Sequence, residues 1–156
     1  MCAMQILPIN SHTELQEPPI QPPVLSEADL LDLLGKPPID LPQLIENCMG
    51  DSLFAVSMLE EFARTASPYL EKVEQQLREG NYSEAEKVVH GLRGVAGILG
   101  ANTLLEVNSD IENECRTPSH DRVNQLSRSL RREVERVLQA IPSLCAQLRR
   151  GHEEMT

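Results

Sequence analysis

The sequence predicts an all-α protein: an antiparallel up-down-up-down four-helix bundle with a short N-terminal capping helix, preceded by a Pro-rich, mostly disordered arm. Three observations carry that reading. Aromatic residues make up only 3% of the chain and tryptophan is absent, which favours aliphatic helix packing over a β-sandwich. From Ile39 onward the apolar residues recur at steps of three and four in long stretches divided by short turns. Seven of the eleven prolines fall within residues 1–38.

The arm, residues 1–38, holds one helix-like signal. Ser26-Glu27-Ala28-Asp29 resembles a cap, and Leu30, Leu31, Leu33 and Leu34 follow before Gly35 and Pro37 stop the segment. These leucines are read as docking on the bundle rather than on a partner. The bundle is expected over residues 39–150, with 151–156 as a tail. Asp40 caps the short first helix, which carries Leu41, Leu44, Ile45 and Cys48 and ends at Gly50. Asp51 caps the next, with Val56, Leu59, Ala63, Ala66, Leu70, Val73 and Leu77 inward. That stripe keeps its phase across Pro68, so one kinked helix is expected there. After the Gly80-Asn81 turn, Ser83-Glu84-Ala85-Glu86 reads as a capping box opening the third helix. A helix over about 102–116 places Leu104, Val107, Ile111 and Cys115 inward, and Thr117-Pro118-Ser119 breaks it. The last helix turns Val123, Leu126, Leu130, Val137, Ile141 and Leu148 inward, with Pro142 bending its final turns.

A length of 156 residues suits one domain with a single core. The net charge of −10 speaks against nucleic acid or an anionic membrane as partner. Cys2, Cys48, Cys115 and Cys145 form no CxxC pair and read as reduced thiols of a cytoplasmic protein. No apolar run approaches the ~20 residues of a membrane span, and no secretory signal opens the chain. His12, His120 and His152 share no ligand spacing with His90, so no metal site is expected. The run Arg122, Arg128, Arg131, Arg132 and Arg136 is interleaved with Glu133 and Glu135 and lacks aromatics, which makes it a solvated helix face.

The chemistry concentrates in His90-Gly91-Leu92-Arg93-Gly94, followed by Gly97 and Gly100-Ala101. Ala85, Val88, Val89, Leu92, Val95, Ala96 and Leu99 form the buried stripe of that helix, which leaves His90, Gly94, Gly97 and Ala101 on the open side. Two mid-helix glycines cost roughly 2 kcal/mol against alanine. Spent on a solvent-facing surface, that cost implies close approach of something beside the imidazole. An ordinary imidazole is largely neutral, hence nucleophilic, near pH 7, and it can accept and release a phosphoryl group. Arg93, one turn on, can screen phosphoryl oxygens, and Lys87 adds a second cation at the rim.

The pattern His90, Leu92, Arg93, Gly94, Gly97, Gly100-Ala101 resembles the histidine-containing phosphotransfer (HPt) domains of multistep two-component relays. The Gly50-Asp51 pair, the mid-helix Pro68, the Gly80-Asn81 turn and the following Glu-bearing helix agree with it over roughly residues 39–140. The departures are Arg93, where lysine is commoner, and Gly91 and Val95, unusual within the motif. The resemblance implies a stand-alone phosphotransfer protein, not an enzyme, with His90 as phosphoacceptor and Arg93 and Gly94 near the phosphate. It implies receiver domains of response regulators and hybrid histidine kinases as partners, docking over Lys87, Gly97, Glu112 and Arg116. It implies no cofactor of its own, the divalent metal coming from the receiver. An i,i+4 surface pair between Glu112 and Arg116 is an equal reading of those two. Two other functions compete: a receiver-binding module that passes no phosphate, and the His-bearing module of a separate kinase, since no nucleotide loop is present.

Overall fold

The computed structural model describes residues 36–155, which form five helices and no strand. The arm's Leu30–Leu34 segment, Cys2 and His12 lie outside the described residues. The helices are α1 (Leu41–Asn47), α2 (Ser52–Arg78), α3 (Tyr82–Leu99), α4 (Asn102–Glu114) and α5 (His120–Met155). Short turns make consecutive long helices antiparallel. α2 packs on α3 and α5, and α4 packs on the same two, giving an up-down-up-down ring. α1 lies against α3 and α2 at one end. The last helix continues to Met155, past the expected start of a tail at residue 151.

Local chemistry sets the ends. The Asp40 carboxylate accepts from the Gln43 N–H at 3.1 Å and that of Asp51 from the Phe54 N–H at 2.9 Å, so both expected caps form. The capping box does not. α3 starts at Tyr82 with Asn81 at the N-cap, and Ser83 is already helical. The reason is the preceding turn: Gly80 at φ +76 and the Asn81 N–H bonded to the Gln76 carbonyl at 2.9 Å return the chain to helix two residues early.

Gly100 ends α3 in the left-handed region, at φ +71, and its carbonyl accepts from the Asp40 N–H at 2.8 Å. A Cβ there would sit 2.8 Å from the Asp40 carbonyl oxygen. Gly100→Ala should therefore lose at least the roughly 1–2 kcal/mol of left-handed backbone strain, plus the cost of moving α1. Urea unfolding checks this; a loss under about 0.5 kcal/mol would remove the α1–α3 seam as a constraint.

Among the described residues the core is aliphatic apart from Phe62 and three cysteines. Phe62 is buried and Ala63 exposed, the reverse of the sequence expectation for that turn of α2. At 100° per residue positions 62 and 63 lie on either side of the stripe's centre, and the larger apolar side chain takes the core. Ala101 is also corrected: it is fully buried in the α3–α4 link, not on the open side of His90. α2 runs unbroken through Pro68 and α5 through Pro142.

Cys48, Cys115 and Cys145 are buried free thiols. Burial pushes the Cys115 thiol up to about 11, and the carboxylates of Glu86, Glu114 and Glu112 push the same way. A raised value means less thiolate at pH 8, so alkylation of Cys115 should be roughly a hundredfold slower than for an open thiol. In Cys2→Ala protein, an Ellman titration should find these thiols silent until denaturant is added. Rapid reaction of Cys115 in the native state would contradict its burial.

Candidate functional site

The third helix presents its site from a rigid backing. Val89, Leu92 and Ala96 are locked in the core, which fixes the opposite face carrying His90, Arg93, Gly94 and Gly97. The His90 side chain is 74% exposed. Beneath it sits Glu112 of α4, only 9% exposed, which divides its carboxylate between two partners. One oxygen lies 3.3 Å from His90 Nδ1 and the other accepts from Arg93 Nη1 at 3.2 Å.

That bridge has a chemical consequence. A carboxylate can only accept, so the contact favours the tautomer with the proton on Nδ1. The lone pair then belongs to Nε2, which has no bonding partner among the described residues and lies on an exposed ring. The site therefore offers an oriented, accessible nitrogen nucleophile with a guanidinium alongside it.

The other expected site residues fall out as follows. Glu112 and Arg116 do not form the i,i+4 pair; Arg116 instead reaches back to Glu86 of α3, Nε to Oε1 at 3.8 Å. Glu112 is turned inward beneath His90 and Arg93, so it is not an exposed docking residue. Lys87 is exposed and pairs with Glu84 at 3.0 Å. A Cβ added at Gly94 or Gly97 would meet nothing within 4 Å. Neither glycine is required by packing among the described residues. Asn47 of α1 was missed: its amide donates to the carbonyls of Gly97 and Ile98 at 3.2 and 3.0 Å, tying the end of the His90 helix to α1. No local sequence signal marks such a cap from another helix. The Glu112 bridge does have one, since His90 and Glu112 lie at nearly equal distances from the Gly100-Ala101 link.

Among the described residues no three His, Cys, Asp or Glu side chains gather as a metal site. No described helix is long and apolar enough to cross a membrane. The Hpt domain family model matches residues 57–151, a span holding His90, Arg93, Gly94 and Glu112. The chain belongs to the Hpt domain family. No curated protein and no solved structure matches the chain. As an Hpt domain it is a histidine phosphotransfer module of phosphorelays, in a family that works with receiver domains and carries no kinase activity. The matched span begins inside α2, so α1 and its Asn47 tie lie outside it.

Proposed function

We propose that this chain is a stand-alone phosphotransfer protein that carries a phosphoryl group on Nε2 of His90 between aspartates of receiver domains in response regulators and hybrid histidine kinases. The observation that carries the reading is the buried Glu112 carboxylate on Nδ1 of an exposed ring. In the forward step the Nε2 lone pair attacks phosphorus of a receiver's aspartyl phosphate. The P–O bond to the carboxyl group breaks and the aspartate leaves with the electron pair. The Nε2–P bond forms, and the ring's positive charge is balanced by Glu112 against the retained Nδ1 proton. Arg93 draws phosphoryl oxygens toward its guanidinium. Transfer onward is the same step reversed on a second receiver. The divalent metal that polarises the aspartyl phosphate belongs to the receiver, and the chain needs no cofactor of its own.

The test is labelling. With radiolabelled ATP alone the protein should stay unlabelled; with a phosphorylated receiver domain it should gain acid-labile, alkali-stable phosphate. Binding of cognate receivers without any uptake of label would leave a docking module and sink the relay reading.

Glu112→Gln probes the same geometry. An amide keeps the shape but no longer demands a proton on Nδ1. Single-turnover transfer should slow on the order of a hundredfold, less than the roughly 10⁴-fold cost where such a partner is fully enclosed. Nitrogen-15 spectra of the ring should show the Nδ1-protonated tautomer depleted. An unchanged tautomer ratio with unchanged transfer would strip Glu112 of its orienting role.

A further inference from the structure

Asn108 of α4 is fully buried, and neither its amide nitrogen nor its amide oxygen has a hydrogen-bond partner. Among the described residues no other buried side-chain donor is left in that state. An amide unpaired in the interior is unfavourable, and a leucine would fill the place without that cost. Leu104 and Ile111 on the same inward face are ordinary core residues. The buried polar residues of α4 are Asn108 and Glu112, the carboxylate beneath His90.

The two stand four residues apart, which sets them about 40° from each other round the helix axis. Their Cβ atoms are then roughly 5–6 Å apart. Side chains on an α-helix lean toward its N-terminus, so the Glu112 side chain lies over the turn that begins at Asn108. Rotation of the Asn108 side chain brings its N–H within reach of that carboxylate, and no bond breaks because the amide holds none. In the unphosphorylated chain the carboxylate is already served. Oε1 faces His90 Nδ1 and Oε2 accepts from Arg93.

A phosphoryl group on His90 changes this. Nε2 is on the far side of the ring from Glu112, so a guanidinium that turns to the phosphoryl oxygens moves off the carboxylate. Oε2, on a side chain only 9% exposed, then lacks a donor. A buried charge stripped of one partner is strongly unfavourable, more so than a neutral amide in the same position. We infer that Asn108 is a positioning residue for Glu112: when Arg93 turns to the phosphate, the Asn108 amide takes its place on the carboxylate. The exchange lets Arg93 leave without stranding the charge, and Glu112 keeps its hold on the Nδ1 proton through transfer. Only the trigger, phosphate on His90, rests on the relay reading above.

The experiment uses the full chain labelled with nitrogen-15, with the Asn108 side-chain amide assigned through its backbone. Two triggers are applied separately: phosphorylation of His90 by phosphoramidate, and Arg93→Ala, which frees Oε2 without any phosphate. Each should move one Asn108 amide proton downfield by about 1 ppm, the mark of a bond to a carboxylate. Asn108→Leu should take label from phosphoramidate about tenfold more slowly, since Arg93 then leaves a carboxylate that no donor takes over. Its far-UV helical signal should match wild type. An Asn108 resonance that stays put on phosphorylation overturns the inference, because Arg93 would then serve both anions at once. A resonance unmoved by Arg93→Ala overturns it too. If neither phosphoramidate nor any receiver labels His90 while Arg93→Ala still shifts the amide, the exchange of donors stands and the relay reading falls.

Discussion

His90→Gln should abolish receiver-dependent labelling while leaving the fold intact. The substitution separates chemistry from architecture unusually well here. The ring is 74% exposed, so its loss removes little buried area, and stability should stay within about 0.5 kcal/mol. Glutamine retains an N–H that can reach Glu112, so the buried carboxylate is not left without a partner. What disappears is the Nε2 lone pair, because an amide nitrogen is not a phosphoryl acceptor near neutral pH. Far-UV dichroism and urea midpoints check the first half, and autoradiography after incubation with a phosphorylated receiver checks the second. Label persisting in His90→Gln would move the carrier to another side chain, with His120 and His152 the first described candidates.

What could be read in advance divides by range. Asp40 and Asp51 cap as expected because an N-cap depends on the next three residues alone. The aliphatic stripes of α3 and α5 were legible because the 3.6-residue period is a property of one helix. The Ser83 box failed through competition: the Gly80-Asn81 turn reaches helical geometry first, and a cap residue cannot also be helical. Glu112 needed a second helix to explain it. On α4 it reads as a polar residue beside Ile111, and only antiparallel packing on α3 brings it under His90 and Arg93. Asn108 belongs with it, fully buried in α4 with its amide atoms unpartnered, where the local pattern marked only Leu104, Val107 and Ile111. The site's histidine was visible in sequence, while the residues that aim it and flank it were set by packing between helices.

Gly94→Leu should move stability and function in opposite directions. Leucine is favoured over glycine in a helix interior by close to 1 kcal/mol, and a Cβ at position 94 meets nothing within 4 Å. The variant should therefore be as stable as wild type or slightly more so in urea. A leucine one turn from His90 nevertheless stands over the path by which a receiver loop brings its aspartate to Nε2. Displacing the reacting atoms by about 1 Å can cost on the order of a hundredfold in rate. Receiver-dependent transfer should fall by at least that factor, while phosphoramidate, small enough to pass the side chain, should still label His90. The pairing of outcomes matters more than either alone. A glycine kept for packing would lower stability when replaced, and a glycine of no consequence would change neither quantity. Only a glycine kept for an approaching partner yields a firmer helix and a slower relay. Transfer within threefold of wild type in Gly94→Leu would mean that the partner reaches His90 without crossing this face.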